Sequence, residues 1–325
     1  MSIKREPKNT EFIEPENKQT KTISYLGPQG TFCESALMTQ NDLGAYKSYP
    51  QKNIVDVFNK TSSGKTTLGI VPLENTIEGS VPVTLDMLIF ESDLMIQREI
   101  DIDISLCLAT IKNTKLKDIK TIYSHPHALA QCREYLAKKL PDVEIMPIES
   151  TAEAALYVYK QKDKSIAAIC PEQALVKYSL TQLDKHIQDR STNQTRFIVV
   201  GEGIPKKTGH DKTSIVCFQR SNRPGSLLSI LSEFAARNID LSKLESRPTK
   251  EGLGQYCFLI DFIGHIGDDL VADCLQHVGA NHADVKFLGS YAVAGDKGAV
   301  TRNSATKVWK ETKNWIQTLR NSIED

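Results

Sequence analysis

Residues 119–131 read IKTIYSHPHALAQ. The first six are rich in β-branched and aromatic side chains, and this composition predicts a strand ending at Ser124. Pro126 has its φ fixed near the helical value and no N–H to leave unpaired, so it suits the first position of a helix, here read to about Leu140. Strand, turn and helix therefore follow in one short stretch, and the same unit recurs outward from it. Upstream, a strand at 22–26 ends in Gly27-Pro28-Gln29-Gly30 and gives way to helix from Phe32. Asn53 caps a helix from Ile54, and a buried strand at 68–71 ends at Pro72. A helix follows at 83–90, and 95–109 reads as one long strand passing between two lobes. Downstream come a strand at 143–148, a helix at 152–160, a strand at 166–170, a helix from Pro171 and a strand at 196–200. Alternation of this kind predicts α/β sheets covered by helices on both faces, with ligands in a crevice at the strand ends.

A second pattern begins after a Gly-, Pro- and Lys-rich linker at 202–212. Strands at 213–219, 241–246, 256–263 and 285–293 with helices at 225–237 and 268–278 give the order βαββαβ, a ferredoxin-like unit over 213–294. The expected organisation is a polar, disordered tail (1–21), a two-lobed domain (22–201), the linker, the small domain and an extension (295–325). In that extension Val308, Trp309, Thr312, Trp315, Ile316, Leu319 and Ile323 fall on one face of a helix capped near Ser304.

The chain has 325 residues, 25% of them charged and 40% hydrophobic, with 40 basic and 40 acidic side chains. A zero formal charge argues against a protein that coats nucleic acid. Apolar runs fall short of the roughly 20 residues that span a bilayer, and the N-terminal residues lack the apolar segment of a secretory signal. The seven cysteines are scattered without C-x-x-C spacing, so they read as small buried hydrophobes in a cytoplasmic protein.

Polar residues cluster where strands end. Glu74 and Asn75 follow the apolar run 68–73, and Glu78-Gly79-Ser80-Val81 comes next. Ser124, His125, His127 and Gln131 sit at the strand-to-helix junction quoted above; the histidines read as turn residues, because an i, i+2 pair converges poorly on a metal. Glu149 precedes the capping residues Ser150 and Thr151. Asn193-Gln194-Thr195-Arg196-Phe197 enters a strand with a hydroxyl, a cation and an aromatic ring in succession. P-loop, G-x-G-x-x-G and metal-ligand patterns are absent, so neither metal nor cofactor is expected.

Taken in order, YLGPQGTF (25–32), VPLEN (71–75), EGSV (78–81), SHP (124–126), TRF (195–197), RPGSLL (223–228) and ESRP (245–248) make the chain resemble prephenate dehydratase with a C-terminal ACT regulatory domain, over residues 22–294. The resemblance implies a catalytic fold like a type II periplasmic binding protein, with the site between its lobes. It implies decarboxylating dehydration of prephenate to phenylpyruvate, a carbon–oxygen lyase reaction of phenylalanine biosynthesis. Thr195 is then the donor toward the leaving hydroxyl. An alcohol is a weak acid near neutral pH, so Thr195 reads as an oriented hydrogen-bond donor or a relay, and a buried carboxylic acid, Glu74 or Glu149, is the alternative donor. Asn75, Ser124 and Gln131 match cleft-lining positions. Arg196 either pairs with a substrate carboxylate or locks the lobe by a salt bridge, and Phe197 packs.

The same resemblance makes Pro224, Gly225, Ser226, Leu227, Glu245, Ser246, Arg247 and Pro248 the phenylalanine site of an ACT pair in a homo-oligomer, dimer or tetramer. Two other functions remain open on sequence alone: a dehydratase preferring arogenate, and a non-catalytic amino-acid sensor.

Overall fold

The structure is a computed structural model and describes residues 21–190, 192–220, 223–252, 254–295 and 302–323. The expected disordered tail, apart from Lys21, lies outside the described residues. The first lobe holds β1 (Thr22–Leu26), β2 (Lys47–Gln51), β3 (Leu68–Asn75), β4 (Gly79–Ser80) and β5 (Met95–Asp103). The second holds β6 (Cys107–Thr110), β7 (Thr121–Ser124), β8 (Glu144–Pro147), β9 (Ile166–Cys170) and β10 (Thr181–Lys185). The chain then returns to the first lobe as β11 (Gln194–Gly201). Its last four strands are β12 (Asp211–Gln219), β13 (Leu241–Pro248), β14 (Tyr256–Ile263) and β15 (Ala283–Ala292). Helices Ser226–Ala236 and Asp269–Asn281 complete the βαββαβ order expected for the small domain.

The second lobe is a five-stranded sheet ordered β10-β6-β9-β7-β8. The larger sheet has ten strands, ordered β13-β14-β12-β15-β5-β11-β3-β1-β2, with β4 paired to β3. The small domain thus continues the first-lobe sheet through one parallel bridge, Ala292 to Arg98. Its two faces are used differently. Ile215, Cys217, Ile260 and Phe262 pack under its own helices. Val216, Leu259, Leu288 and Tyr291 join Val71, Leu73, Ile198 and Val200 of the first lobe in one core. Period-two alternation on β12 and β14 produces this two-sided burial.

Several boundaries differ from expectation for local reasons. The strand expected at 68–71 runs on through Pro72 to Asn75. A register shift on β11 between Arg196 and Phe197 admits the proline, which has no N–H to offer a ladder. The helix expected from Pro126 to Leu140 breaks at Cys132 into Pro126–Gln131 and Arg133–Lys139. Asp189 causes the break: its N–H takes the Gln131 carbonyl at 2.7 Å. Its carboxylate accepts from the Glu134 and Tyr135 amides at 3.1 and 3.3 Å, capping the second piece. The long strand expected at 95–109 stops at Asp103, and β6 starts at Cys107 in the other lobe. The crossing residues 104–106 run beside the returning segment, with Ile104 N donating to Asn193 O at 2.8 Å.

All seven cysteines are buried. In the extension a helix spans Arg302–Asn321, starting two residues ahead of Ser304. Trp315, Ile316 and Leu319 are exposed on it, as is Ile323 just past its end. The side chains of Val308 and Trp309 lie outside the described residues.

Candidate active site

A cavity of about 550 Å³ opens between the lobes, over the two crossing segments. Its walls come from β3, β4 and β11 on one side and from the β7 and β8 exits on the other, as the strand-end reading requires. The first residues of four helices line it: Phe32, Pro82, the His125–His127 turn, and Thr151. Among the described residues lining it there is no lysine or arginine. Positive potential therefore comes from helix N-termini and neutral donors.

Thr195, 8% exposed, reaches this cavity from β11. The β3–β11 register sets Thr195 opposite Asn75. Asn75 Oδ1 accepts from the Ile77 and Glu78 backbone amides at 2.9 and 3.1 Å. That acceptance fixes which end of its amide is nitrogen. Asn75 Nδ2 must then donate, and it does so to Thr195 Oγ1 and Asn193 Oδ1, both at 2.8 Å. The sense propagates: Asn193 Nδ2 donates to Gln131 Oε1 at 2.9 Å, and Gln131 Nε2 to Glu78 Oε1 at 3.5 Å. The ring of amides closes between the lobes. Because Thr195 accepts from Asn75, its own proton is free to point into the cavity.

Thr195, Asn75, Gln131, Phe197 and Glu149 all meet the cavity. Ser124 does not. It is fully buried at the end of β7 and donates to Ile169 O at 2.7 Å, so it holds the strand exit. Glu74 and Arg196 do not either, because side chains alternate along β3 and β11 and these two project to the opposite face. There Arg196 meets Asp261 and Glu99 at 2.7 Å each and Tyr291 Oη at 2.8 Å. Glu74 pairs with Lys243 at 2.9 Å and with Arg196 at 3.9 Å. Of the two readings of Arg196, the structural salt bridge is the observed one. Neither candidate carboxylic acid is buried as a desolvated donor must be: Glu149 is exposed, and Glu74 is half-buried and ion-paired.

The sequence reading passed over three residues of the site. Asn193, 1% exposed, links Asn75 to Gln131. Its signal was its place two residues before Thr195, in a stretch already singled out. Glu78 and His127 face each other across the cleft, with His127 Nδ1 3.3 Å from Glu78 Oε2. Burial and the neighbouring His127 push His125 below the usual imidazole value, against a smaller upward pull from Glu78.

A family model for prephenate dehydratase matches residues 23–204, and one for the ACT domain matches 213–279. The chain belongs to the prephenate dehydratase family. It is an enzyme of that carbon–oxygen lyase class, with an ACT domain after its two-lobed α/β domain. It is 39% identical over 277 residues to the bifunctional chorismate mutase/prephenate dehydratase of Pseudomonas aeruginosa, covering 85% of this chain and 74% of that one. It is 38% identical to the prephenate dehydratase of Mycolicibacterium vanbaalenii, with 92% and 98% covered. Among solved structures, prephenate dehydratase from Arthrobacter aurescens in complex with L-Phe superposes with a TM-score of 0.84 at 35% identity, covering 93% of this chain and all of that one.

In the ACT domain the expected effector residues divide. Gly225, Ser226 and Leu227 line a pocket of about 370 Å³ with Arg223, Leu228 and Phe258. Pro224 forms the turn before it, and Gly225 takes a φ of +87° as the helix begins. Ser246 stands opposite Phe258 on the neighbouring strand, with Pro248 two residues on along the same edge. Glu245 and Arg247 alternate to the other face of β13, against the catalytic lobe, and do not line this pocket.

Proposed function

We propose that this chain aromatises prephenate to phenylpyruvate with Thr195 as the oriented donor. The observation that carries this reading is the Asn75-to-Thr195 hydrogen bond inside the interlobe cavity. In the reaction the ring carboxylate leaves as carbon dioxide. Its bonding pair enters the ring, and the carbon–oxygen bond to the hydroxyl breaks at the far side. One proton converts departing hydroxide to water. Aromatisation supplies the driving force, so the protein needs only to orient a dianion and stabilise the leaving oxygen. The Thr195 proton, freed by the donation from Asn75, faces that oxygen. The helix starts at Phe32 and Thr151, with Gln131 and His127, hold the carboxylates without a buried cation. The test is kcat/KM for prephenate against arogenate, read as phenylpyruvate or phenylalanine formed. A higher value for arogenate would move the assignment to that substrate, and no turnover of either would favour a sensor.

Phenylalanine is the proposed effector, seated at the Gly225–Leu227 helix start beside Phe258. The support is the largely apolar pocket at that helix start, and the L-Phe complex of the Arthrobacter relative. A homo-oligomer built on edge strand β13 and a cytoplasmic location belong to the same proposal. Leu244, exposed on that edge, is a natural contact for a second copy. Among the described residues no helix is long and apolar enough to cross a membrane.

A further inference from the structure

Strand β13 is the outer edge of the ACT sheet, yet one of its faces ends at the dehydratase cavity. Lys243, Glu245 and Arg247 project from it toward the catalytic lobe and are half-buried there, while Leu244, Ser246 and Pro248 project the other way. Lys243 Nζ donates to Ser80 Oγ at 2.8 Å, and Ser80 Oγ donates to Glu245 Oε2 at 2.6 Å. The same lysine reaches Glu74 at 2.9 Å and Glu245 at 3.3 Å. Ser80 lines the cavity.

Ser80 depends on these partners more than most wall residues do. It belongs to β4, a two-residue strand paired with β3 at Glu74 and Asn75, with the next residue, Val81, donating its N–H to Leu73 O at 2.8 Å. Gly79 before it has a φ of +80°, a conformation that other residues adopt only at a cost. On the far side of the same turn, Glu78 closes the amide ring that orients Asn75. A shift of Ser80 therefore reaches Glu78 through Gly79, and Asn75 through the strand pair that Gly79 makes with it. Arg247 reinforces the contact one step along, with Asp86 at 2.8 Å on the helix that follows Ser80.

We propose that Lys243 and Glu245 are positioning residues of the dehydratase site: they hold Ser80 and its turn in the cavity wall, and through them the regulatory strand acts on catalysis. The opposite face of β13 carries Ser246, paired with Phe258 of the effector pocket. One edge strand thus has the effector's pocket on one side and the cavity wall on the other. This regulatory half rests on the reading that phenylalanine binds that pocket.

The experiment is a double-mutant cycle on the full chain with Ser80→Ala, Glu245→Ala and the pair, reading kcat and KM separately. Glu245→Ala should lower kcat/KM roughly 5- to 30-fold, on the scale of one or two lost interactions. Adding Ser80→Ala to it should cost less than Ser80→Ala costs in the unaltered chain, because the Ser80–Glu245 contact is already gone and only the Lys243 bond remains to be lost. Glu245→Gln, whose amide oxygen still accepts from Ser80, should recover most of the activity. Independent, multiplying effects, or a Glu245→Ala enzyme with unchanged kcat and KM, would overturn the proposal. Thermal unfolding separates a folding defect, since Glu245→Gln and Glu245→Ala should melt alike while differing in rate. Calorimetric phenylalanine binding to the unaltered chain reports on the effector reading alone; its absence would remove that reading and leave the result of the cycle standing. Where phenylalanine does bind, Glu245→Ala should keep the binding and weaken the inhibition. Full inhibition in that variant would also overturn the proposal.

Discussion

Thr195 and Arg196 are consecutive on β11 and serve opposite faces of one sheet. The Thr195 hydroxyl meets Asn75 Nδ2 at 2.8 Å in the cavity, and the Arg196 guanidinium meets Asp261 of the ACT domain at 2.7 Å. Around that guanidinium lie Glu99, Tyr291 and Ser214, with Lys212 on Glu99 at 2.8 Å and Ser214 on Asp261 at 2.6 Å. Burial alone would weaken Arg196 as a cation, but Tyr291, Asp261 and Glu99 reverse this and hold it well above its ordinary value. The cluster locks the ACT sheet to the strand that carries Thr195.

Replacing Thr195 by Ala should lower kcat far more than it raises KM. One donor in a preorganised site is worth about 2.7–4 kcal/mol, or roughly 100- to 1000-fold. Thr195→Ser retains the hydroxyl and should keep much of the rate. Steady-state kinetics showing equal kcat for Ala and wild type would remove Thr195 from the mechanism.

Asn193→Ala should also lower activity, by about 1–3 kcal/mol in kcat/KM, since it removes one acceptor of Asn75 Nδ2 and the donor to Gln131 Oε1. Asn75→Asp should be more severe: it deletes the donor that orients Thr195 and adds a charge beside the Asn193 oxygen. If Asn193→Ala keeps full kcat/KM, the amide ring does not organise the site.

Asp261 is fully buried. Burial pushes its carboxyl up, while Arg196 and the hydrogen bonds from Ser214 and Arg196 pull it down, to a net position below the ordinary carboxylate value. A depressed folded value means the unfolded chain binds the proton more readily. The stabilisation is thus present above the ordinary value of about 3.9 and is lost as pH falls through the folded one. Asp261→Ala should cost about 3–5 kcal/mol near pH 7. The gap in urea midpoint between variant and wild type should narrow in acid. A gap constant with pH would place the stabilisation elsewhere.

Gly225→Val should reduce phenylalanine inhibition while leaving basal turnover intact. Its φ of +87° lies in the left-handed region, while an added Cβ would find open space, so the penalty is conformational and not a clash. The strain, about 1–2 kcal/mol, should shift the helix start and its amides. Unchanged inhibition would mean that the effector does not use this turn.

Removing the residues after Gly298 should shift sedimentation toward smaller species if the exposed Trp315, Ile316, Leu319 and Ile323 bury against a second copy. The same mass distribution across a dilution series, with and without the helix, would refute that role.

The order of strands and helices, the βαββαβ unit and the polar residues at strand exits were all legible in the chain. They are local signals: periodicity, caps and prolines act within a few residues. Thr195, Asn75 and Gln131 could be picked out because each sits in a recognisable stretch at such an exit. Glu74, Arg196, Glu245 and Arg247 share those stretches but project to other surfaces for one reason: neighbours in a strand point to opposite faces, and sequence does not say which face meets the cleft. Only the β3–β11 register and the packing of the ACT sheet on the first lobe decided that. Likewise Cys132 breaks its helix because Asp189, 57 positions away, caps the second half. The sequence by itself determined which elements form and which chemistry they carry. The tertiary structure determined which partner each polar side chain meets, because hydrogen bonds and ion pairs fall off within a few ångströms and bind residues that the chain keeps far apart.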